Sequence, residues 1–285
     1  MTTKTMLTAL TAAAAALSIS ASALAVPLTI TVTNNQAPGG LAFTPVYFGF
    51  GGGEFDAFDV GSEASSGVEL VAEVGVFSDP GDTVAELTLA ETRVFIDPES
   101  RGGVAAAPQG NAPVFEAGES VTITLDVDPE TQRFAQFISM LLPSNDTFFG
   151  NDDPLALFDE FGVFNGPQTI DILASNLYDA GTEANDLGNG PAFVQGQIGG
   201  AGETTFGVIS GGVTLDSLGI TGDITLATGD ILELVLAEQF FAQNGSLATI
   251  TIDLAQSEVP VPAAAFLFAP LAAGFVAMRK RRHAA

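Results

Sequence analysis

The sequence predicts an all-β domain, an antiparallel β-sandwich with one short helix, followed by a C-terminal transmembrane helix. Three observations lead there. Short runs alternate apolar and polar side chains, the pattern of a strand with one buried face. Gly, Pro and Asp punctuate the chain between these runs, and Gly81-Asp82, Asp97-Pro98-Glu99, Asp128-Pro129-Glu130 and Gly211-Gly212 are turn chemistry. One apolar stretch, Val261 to Met278, is just long enough to cross a bilayer.

The first 25 residues carry an early charge at Lys4, an apolar run from Leu7 to Ile19, and small residues ending Ala23-Leu24-Ala25. That is the layout of a secretory signal peptide, cut after Ala25; its apolar core is shorter than the roughly 20 residues of a membrane span. The exported body then runs over residues 26–256. Leu28 to Thr33, Val121 to Leu125 and Thr249 to Leu254 alternate, which places Ile30 and Val32, or Ile250 and Ile252, on one buried face with threonines opposite. Further strands are expected at Thr44 to Phe50, Arg93 to Ile96, Phe134 to Leu142, Thr169 to Leu177 and Ile231 to Leu236. Ser65 to Val74 reads as a short helix packed on one sheet, with serine at the cap and Val68, Val71 and Ala72 at helical spacing. Residues 196–230, rich in Gly and Thr, read as an insertion or an extra hairpin.

Composition removes whole classes of chemistry. Over residues 26–258 only Arg93, Arg101 and Arg133 remain of the eight basic residues, against all 34 acidic ones, three minus 34, a formal charge of −31. Such a body repels phosphate backbones, so nucleic acid is excluded as a partner, while cations are attracted. There is no cysteine, and the one histidine, His283, lies beyond the apolar stretch. Serine–histidine and cysteine–histidine nucleophiles, thiolate or imidazole zinc sites and disulfides are therefore ruled out of the body. Oxygen chemistry is left: carboxylates acting as an acid–base pair, or holding a hard metal ion.

The tail, residues 257–285, begins Val259-Pro260-Val261-Pro262-Ala263, continues as the apolar span 261–278 with Pro270 inside it, and ends in Arg279, Lys280, Arg281 and Arg282. The positive cluster is expected to stay cytoplasmic, leaving the body outside. The order of these parts resembles the bacterial PEP-CTERM sorting signals of the VPLPA variety, with Val261 where that variety usually has Leu. The resemblance implies an exosortase-type enzyme as partner and removal of the tail near the proline motif; a plain anchor has the same hydrophobic physics.

Three longer words are more specific: Phe55 to Ser65, Ser139 to Phe149 (SMLLPSNDTFF) and Tyr178 to Asp186 (YDAGTEAND). In that order they resemble the spondin domain, the module of F-spondin and mindin, over roughly residues 28 to 195, with Ala248 to Leu254 as the closing strand. The resemblance implies a β-sandwich similar to C2 domains, with a calcium ion held at one end by loop carboxylates. Carried onto matching positions, the ligands are Asp146, Asp179 and Glu183; the family has Asp at the third, so Glu183 keeps the charge but is one methylene longer. Asp146 and Asp179 each follow an apolar run, which puts both at the same end of two strands, and Gly181 permits the bend between Asp179 and Glu183. Asp152, Asp153 and Asp186 are candidate further oxygens. Acidic residues at strand ends are also ordinary turn residues.

Three functions are open on these grounds. The first is a non-catalytic surface or matrix adhesion module that binds calcium and contacts an exopolysaccharide or surface protein. The second is a structural component that assembles with itself, and the third a carboxylate-only glycan hydrolase.

Overall fold

The computed structural model describes residues 25–54, 56–75, 101–105 and 114–255. The expected leader (but for Ala25), the strand at Arg93 to Ile96, the motif Val259 to Ala263, the span 261–278 and the cluster Arg279 to Arg282 lie outside the described residues. Among the described residues no helix is long and apolar enough to cross a membrane.

Two antiparallel sheets face each other. The first has the order β5 (Ser120–Val127), β1 (Val26–Asn34), β14 (Ser246–Leu254), β9 (Gln168–Leu173). Its register aligns Ile30 with Ile123 on one side and Ile252 on the other, and Val32 with Val121 and Ile250. Period-two alternation therefore sends Leu28, Ile30, Val32, Ile250 and Ile252 to one face, where all are fully buried. The opposite face is a threonine ladder, in which Thr31 meets Thr122 and Thr33 meets Ser120, each hydroxyl pair at 2.8 Å.

The second sheet runs β11 (Ser210–Gly211), β10 (Leu177–Asp179), β7 (Thr147–Gly150), β6 (Phe134–Leu142), β3 (Val46–Gly51), β4 (Arg101–Ala105), with β2 (Ala42–Phe43) and β8 (Leu155–Ala156) also pairing β6. Phe48, Phe50, Phe137, Leu141 and Phe149 turn inward and share one core with the apolar face of the first sheet. In that core Phe43 stacks on Phe115 with ring centres 4.9 Å apart and meets the edge of Phe149 at 5.3 Å. Apolar residues also point the other way, which is why β6 reads as one unbroken apolar run. Tyr47, Ile138 and Phe148 are covered from outside by helix α1 (Ser66–Val74) through Val68, Val71 and Ala72.

The helix begins and ends as its residues dictate. Ser65 Oγ accepts from the Val68 N–H at 3.3 Å, and Gly75 closes the helix in the left-handed conformation at φ 70°, its N–H on Val71 O. A side chain at Gly75 would collide with Thr44.

Two expectations are corrected. Thr169 to Leu177 is not one strand: β9 ends at Leu173, a 3₁₀ turn at Ala174–Asn176 carries the chain to the second sheet, and β10 starts there. Asn176 Oδ1 accepts from the Leu173 N–H at 2.9 Å and fixes that crossing. Ile231 to Leu236 is a strand only over β13 (Ile231–Leu232), which pairs β12 (Ile224–Thr225); from Leu234 the chain is helix α2 (Leu234–Ala242). Its buried Ala237 and Phe240 are three apart, and the Leu, Ala, Glu and Gln around them favour helix. Residues 196–230, expected as an insertion or an extra hairpin, bury Ile209, Leu218, Ile220 and Leu226, and β11 within them extends the second sheet.

Removing the aromatic contact at the core centre should be severe. Phe43→Ala is expected to lower the unfolding free energy by about 3–5 kcal/mol, measured by denaturant titration of parent and variant.

Candidate metal centre

The end of the second sheet where β6 turns into β7 gathers the acids. The turn is Pro143-Ser144-Asn145-Asp146, and Ser144 Oγ holds it by donating to Leu141 O at 2.7 Å and accepting from the Thr147 N–H at 3.2 Å. Antiparallel pairing of β7 with β10 sets Thr147 opposite Asp179. Asp146 and Asp179 therefore sit at one end of neighbouring strands, as their positions after two apolar runs predict.

Past Asp179 the chain reverses tightly. Asp179 Oδ1 accepts from the Gly181 N–H at 2.8 Å, and Gly181 has φ 70°, with the Val208 backbone so near that a Cβ would lie 2.9 Å from it. The reversal aims two backbone donors at one oxygen: Asp146 Oδ2 accepts from the N–H of Thr182 at 2.8 Å and of Glu183 at 3.0 Å. The Thr182 hydroxyl lies 3.4 Å from the same oxygen, and the Ala180 N–H donates to the Asp146 carbonyl at 3.0 Å. Thus the two sequence words, PSND and DAGTE, are stitched together through Asp146.

Glu183 enters this site by its backbone, while its carboxylate turns aside. Oε1 accepts from the Gly202 N–H at 2.6 Å and Oε2 from Asn145 Nδ2 at 3.3 Å. Among the described residues no three acidic side chains are gathered closely enough to hold an ion as they stand. Asp186 is exposed and capped by the Gly188 N–H at 2.9 Å. Asp152 and Asp153 follow the other end of β7, where Asp152 accepts from the Val60 N–H, so they belong to a different end of the sheet.

The electrostatics are those of a site short of positive charge. Asp146 is 0 % exposed, and its second oxygen, Oδ1, has no hydrogen-bond partner. Burial lifts its carboxyl to about 6; the negative charges of Asp179 and Glu183 push the same way, against the two backbone N–H bonds. Glu183 is raised by burial too, opposed by its bonds from Gly202 and Asn145. Of the two basic residues among those described, Arg133 precedes the opposite end of β6, and Arg101 opens β4, where it pairs with Phe50.

One acid at this end is absent from the sequence reading. Glu73, in the last turn of α1, is lifted to about 7 by burial, with a hydrogen bond from Thr182 opposing and the charges of Glu183, Glu69 and Asp146 adding to the rise. Its signal was available: a carboxylate beside a helix C-terminus opposes the helix dipole, and α1 has no basic residue in its last turn to offset it.

The donor set fits a hard cation. Every side-chain donor is oxygen, and Asp146 Oδ1 is a buried carboxylate oxygen that no side chain among the described residues partners. Asp146 and Asp179 would hold such an ion, and Glu183 would join by turning its carboxylate from Gly202.

Without an ion, raised carboxyl values make the fold depend on pH in a definite direction. Asp146 rises from 3.8 to about 6 and Glu73 from 4.5 to about 7, so both favour folding in their protonated forms. Their contribution is complete below the unfolded values and is lost as pH rises through the folded ones. In chelator the melting temperature is expected to fall between about pH 4 and pH 7.5, and calcium should remove most of that fall; calorimetric scans across pH check this. Compared with protein-family models and with the curated proteins, the chain matches none, so the assignment of this centre rests on its own residues.

Proposed function

We propose that the chain is a non-catalytic, spondin-like β-sandwich displayed outside the cytoplasmic membrane, where calcium at Asp146 and Asp179 fixes the loops that contact a partner. The observation that carries this reading is the carboxylate of Asp146, wholly buried among other acids with one oxygen unpartnered. A buried carboxylate in that position needs a proton or a cation, and outside a cell calcium is the abundant hard cation for all-oxygen sites. Asp146 joins two loops through four contacts, so an ion on its free oxygen would tie the same loops to Asp179 and stiffen that end.

Burial also bears on one of the functions open at the sequence level. Asp146 and Glu183 are 0 % and 4 % exposed, which leaves no room for a sugar ring between them and weighs against glycan hydrolysis at this centre. Asp179 is half-buried and Asn185 and Asp186 are exposed, so the rim, with the ion behind it, is where an acidic exopolysaccharide or a surface protein would bind. Export by the leader, and sorting through Val259 to Ala263 by an exosortase-type enzyme, complete the reading.

Calcium titration by calorimetry tests it. The parent chain is expected to bind calcium, and at a hundredfold excess over Kd to gain about 2.7 kcal/mol of stability. Asp146→Asn and Asp179→Asn should each weaken binding by at least about tenfold. The partner is tested by retention of the chain on the producing strain's own exopolysaccharide; loss of retention in chelator is expected, and retention that ignores calcium would contradict the role given to the ion.

A further inference from the structure

We propose that Glu73 is a further carboxylate ligand of the cation site at Asp146, Asp179 and Glu183, so that ion binding clamps helix α1 to the loops at that end of the second sheet. The inference rests on the calcium reading and adds to it a ligand from a separate element, with a conformational consequence.

Four features converge on Glu73. The first is placement. Val68, Val71 and Ala72 seat α1 on Ile138 of β6 and Phe148 of β7, the strands whose connecting turn carries Asp146. Tyr47 pins the helix end by donating from its hydroxyl to Gly75 O at 3.3 Å. The second is a shared neighbour: the Thr182 hydroxyl serves both Glu73 and Asp146 Oδ2. One hydroxyl proton serves one carboxylate at a time, and Asp146 Oδ2 already has the Thr182 and Glu183 N–H donors.

The third is the strap Gly199-Gly200-Ala201-Gly202, which closes over both glutamates. Gly202 donates to Glu183 Oε1 and passes so close that a Cβ there would lie 2.8 Å from Glu183 Cδ. Gly200, at φ 67°, would bring a Cβ within 3.6 Å of Glu73 Oε2, and one on Gly199 would lie 3.3 Å from Glu73 O. At Gly202 the approach leaves no room for a Cβ beside the Glu183 carboxylate, while Gly199 and Gly200 run alongside Glu73. The fourth is the unpartnered Oδ1 of buried Asp146 in the same cluster, an acceptor with no protein donor. Glu73 at the negative end of a helix dipole and Asp146 with no donor on Oδ1 share one deficit, which a divalent cation between them removes.

The experiment uses the full chain with calcium alone as probe. Parent, Glu73→Gln and Glu69→Gln are compared by calorimetric titration and by hydrogen exchange of the α1 amides with calcium and with chelator. Glu69 lies one turn earlier on the same helix and serves as the charge control. Expected are a Kd weakened on the order of tenfold in Glu73→Gln, calcium-induced protection of α1 in the parent that is missing in this variant, and both near parent values in Glu69→Gln. In chelator, Glu73→Gln should melt at or above the parent, since it removes a charge from a like-charged cluster. Parent-like affinity and α1 protection in Glu73→Gln would overturn the inference and leave the calcium reading standing, and a chelator melting point well below the parent's would make Glu73 a structural residue instead. Absence of calcium binding by the parent would overturn both.

Discussion

At one end of the second sheet everything hangs on the carboxyl group of Asp146. Its Oδ2 collects the backbone N–H groups of Thr182 and Glu183, its carbonyl takes the N–H of Ala180, and its Oδ1 is left bare in a fully buried setting. Two loops from different parts of the chain therefore converge on one residue, and among the described residues no side chain partners its free oxygen. A carboxylate placed like this is costly as an anion, and the cost is removed by a proton at low pH or by a metal ion at neutral pH. The bonds to Oδ2 fix the loops, while protonation of the carboxyl or the proposed cation would act at Oδ1.

The rest of the fold serves to hold that carboxyl in place. Apolar side chains from both sheets fill the core, and helix α1 covers the outer face of β6 and β7, so the turn between these strands is backed by packed structure on two sides. Gly181 allows the DAGTE reversal to press on the Val208 backbone, and the strap at 199–202 seals the acids from a third side. Segment 196–230, with β11 paired to β10, is part of this closure. Acids on two faces of one closed site repel each other, and the cation proposed there would offset that repulsion.

Much of this was legible in the chain itself. The alternation at Leu28 to Thr33 and Thr249 to Leu254 identified the first sheet because one face of it is polar. Ser65 and the spacing of Val68, Val71 and Ala72 identified α1, since cap and periodicity agree there. The places that misled are those where local pattern is ambiguous. Ile231 to Leu236 is a short apolar run, too brief for its period to separate strand from helix, and Asp223, distant in sequence, caps the helix by accepting from the Leu234 N–H at 2.9 Å. Thr169 to Leu177 looked continuous because a 3₁₀ turn of Ala, Ser and Asn leaves no glycine or proline mark. At the site, Asp146 and Asp179 are placed by their strands, whereas the orientation of the Glu183 carboxylate is set by Gly202 and Asn145, contacts between loops that no local spacing encodes. Glu73 joins them only because α1 lies across β6 and β7.

The most direct measurement is a crystal structure of the chain grown in calcium, with the anomalous signal used to identify the ion. The result predicted is calcium within about 2.3–2.6 Å of Asp146 Oδ1, also bonded to Asp179. The contradicting result is an Asp146 Oδ1 that carries a proton or meets a protein donor, with no ion at this end of the sheet when calcium is saturating.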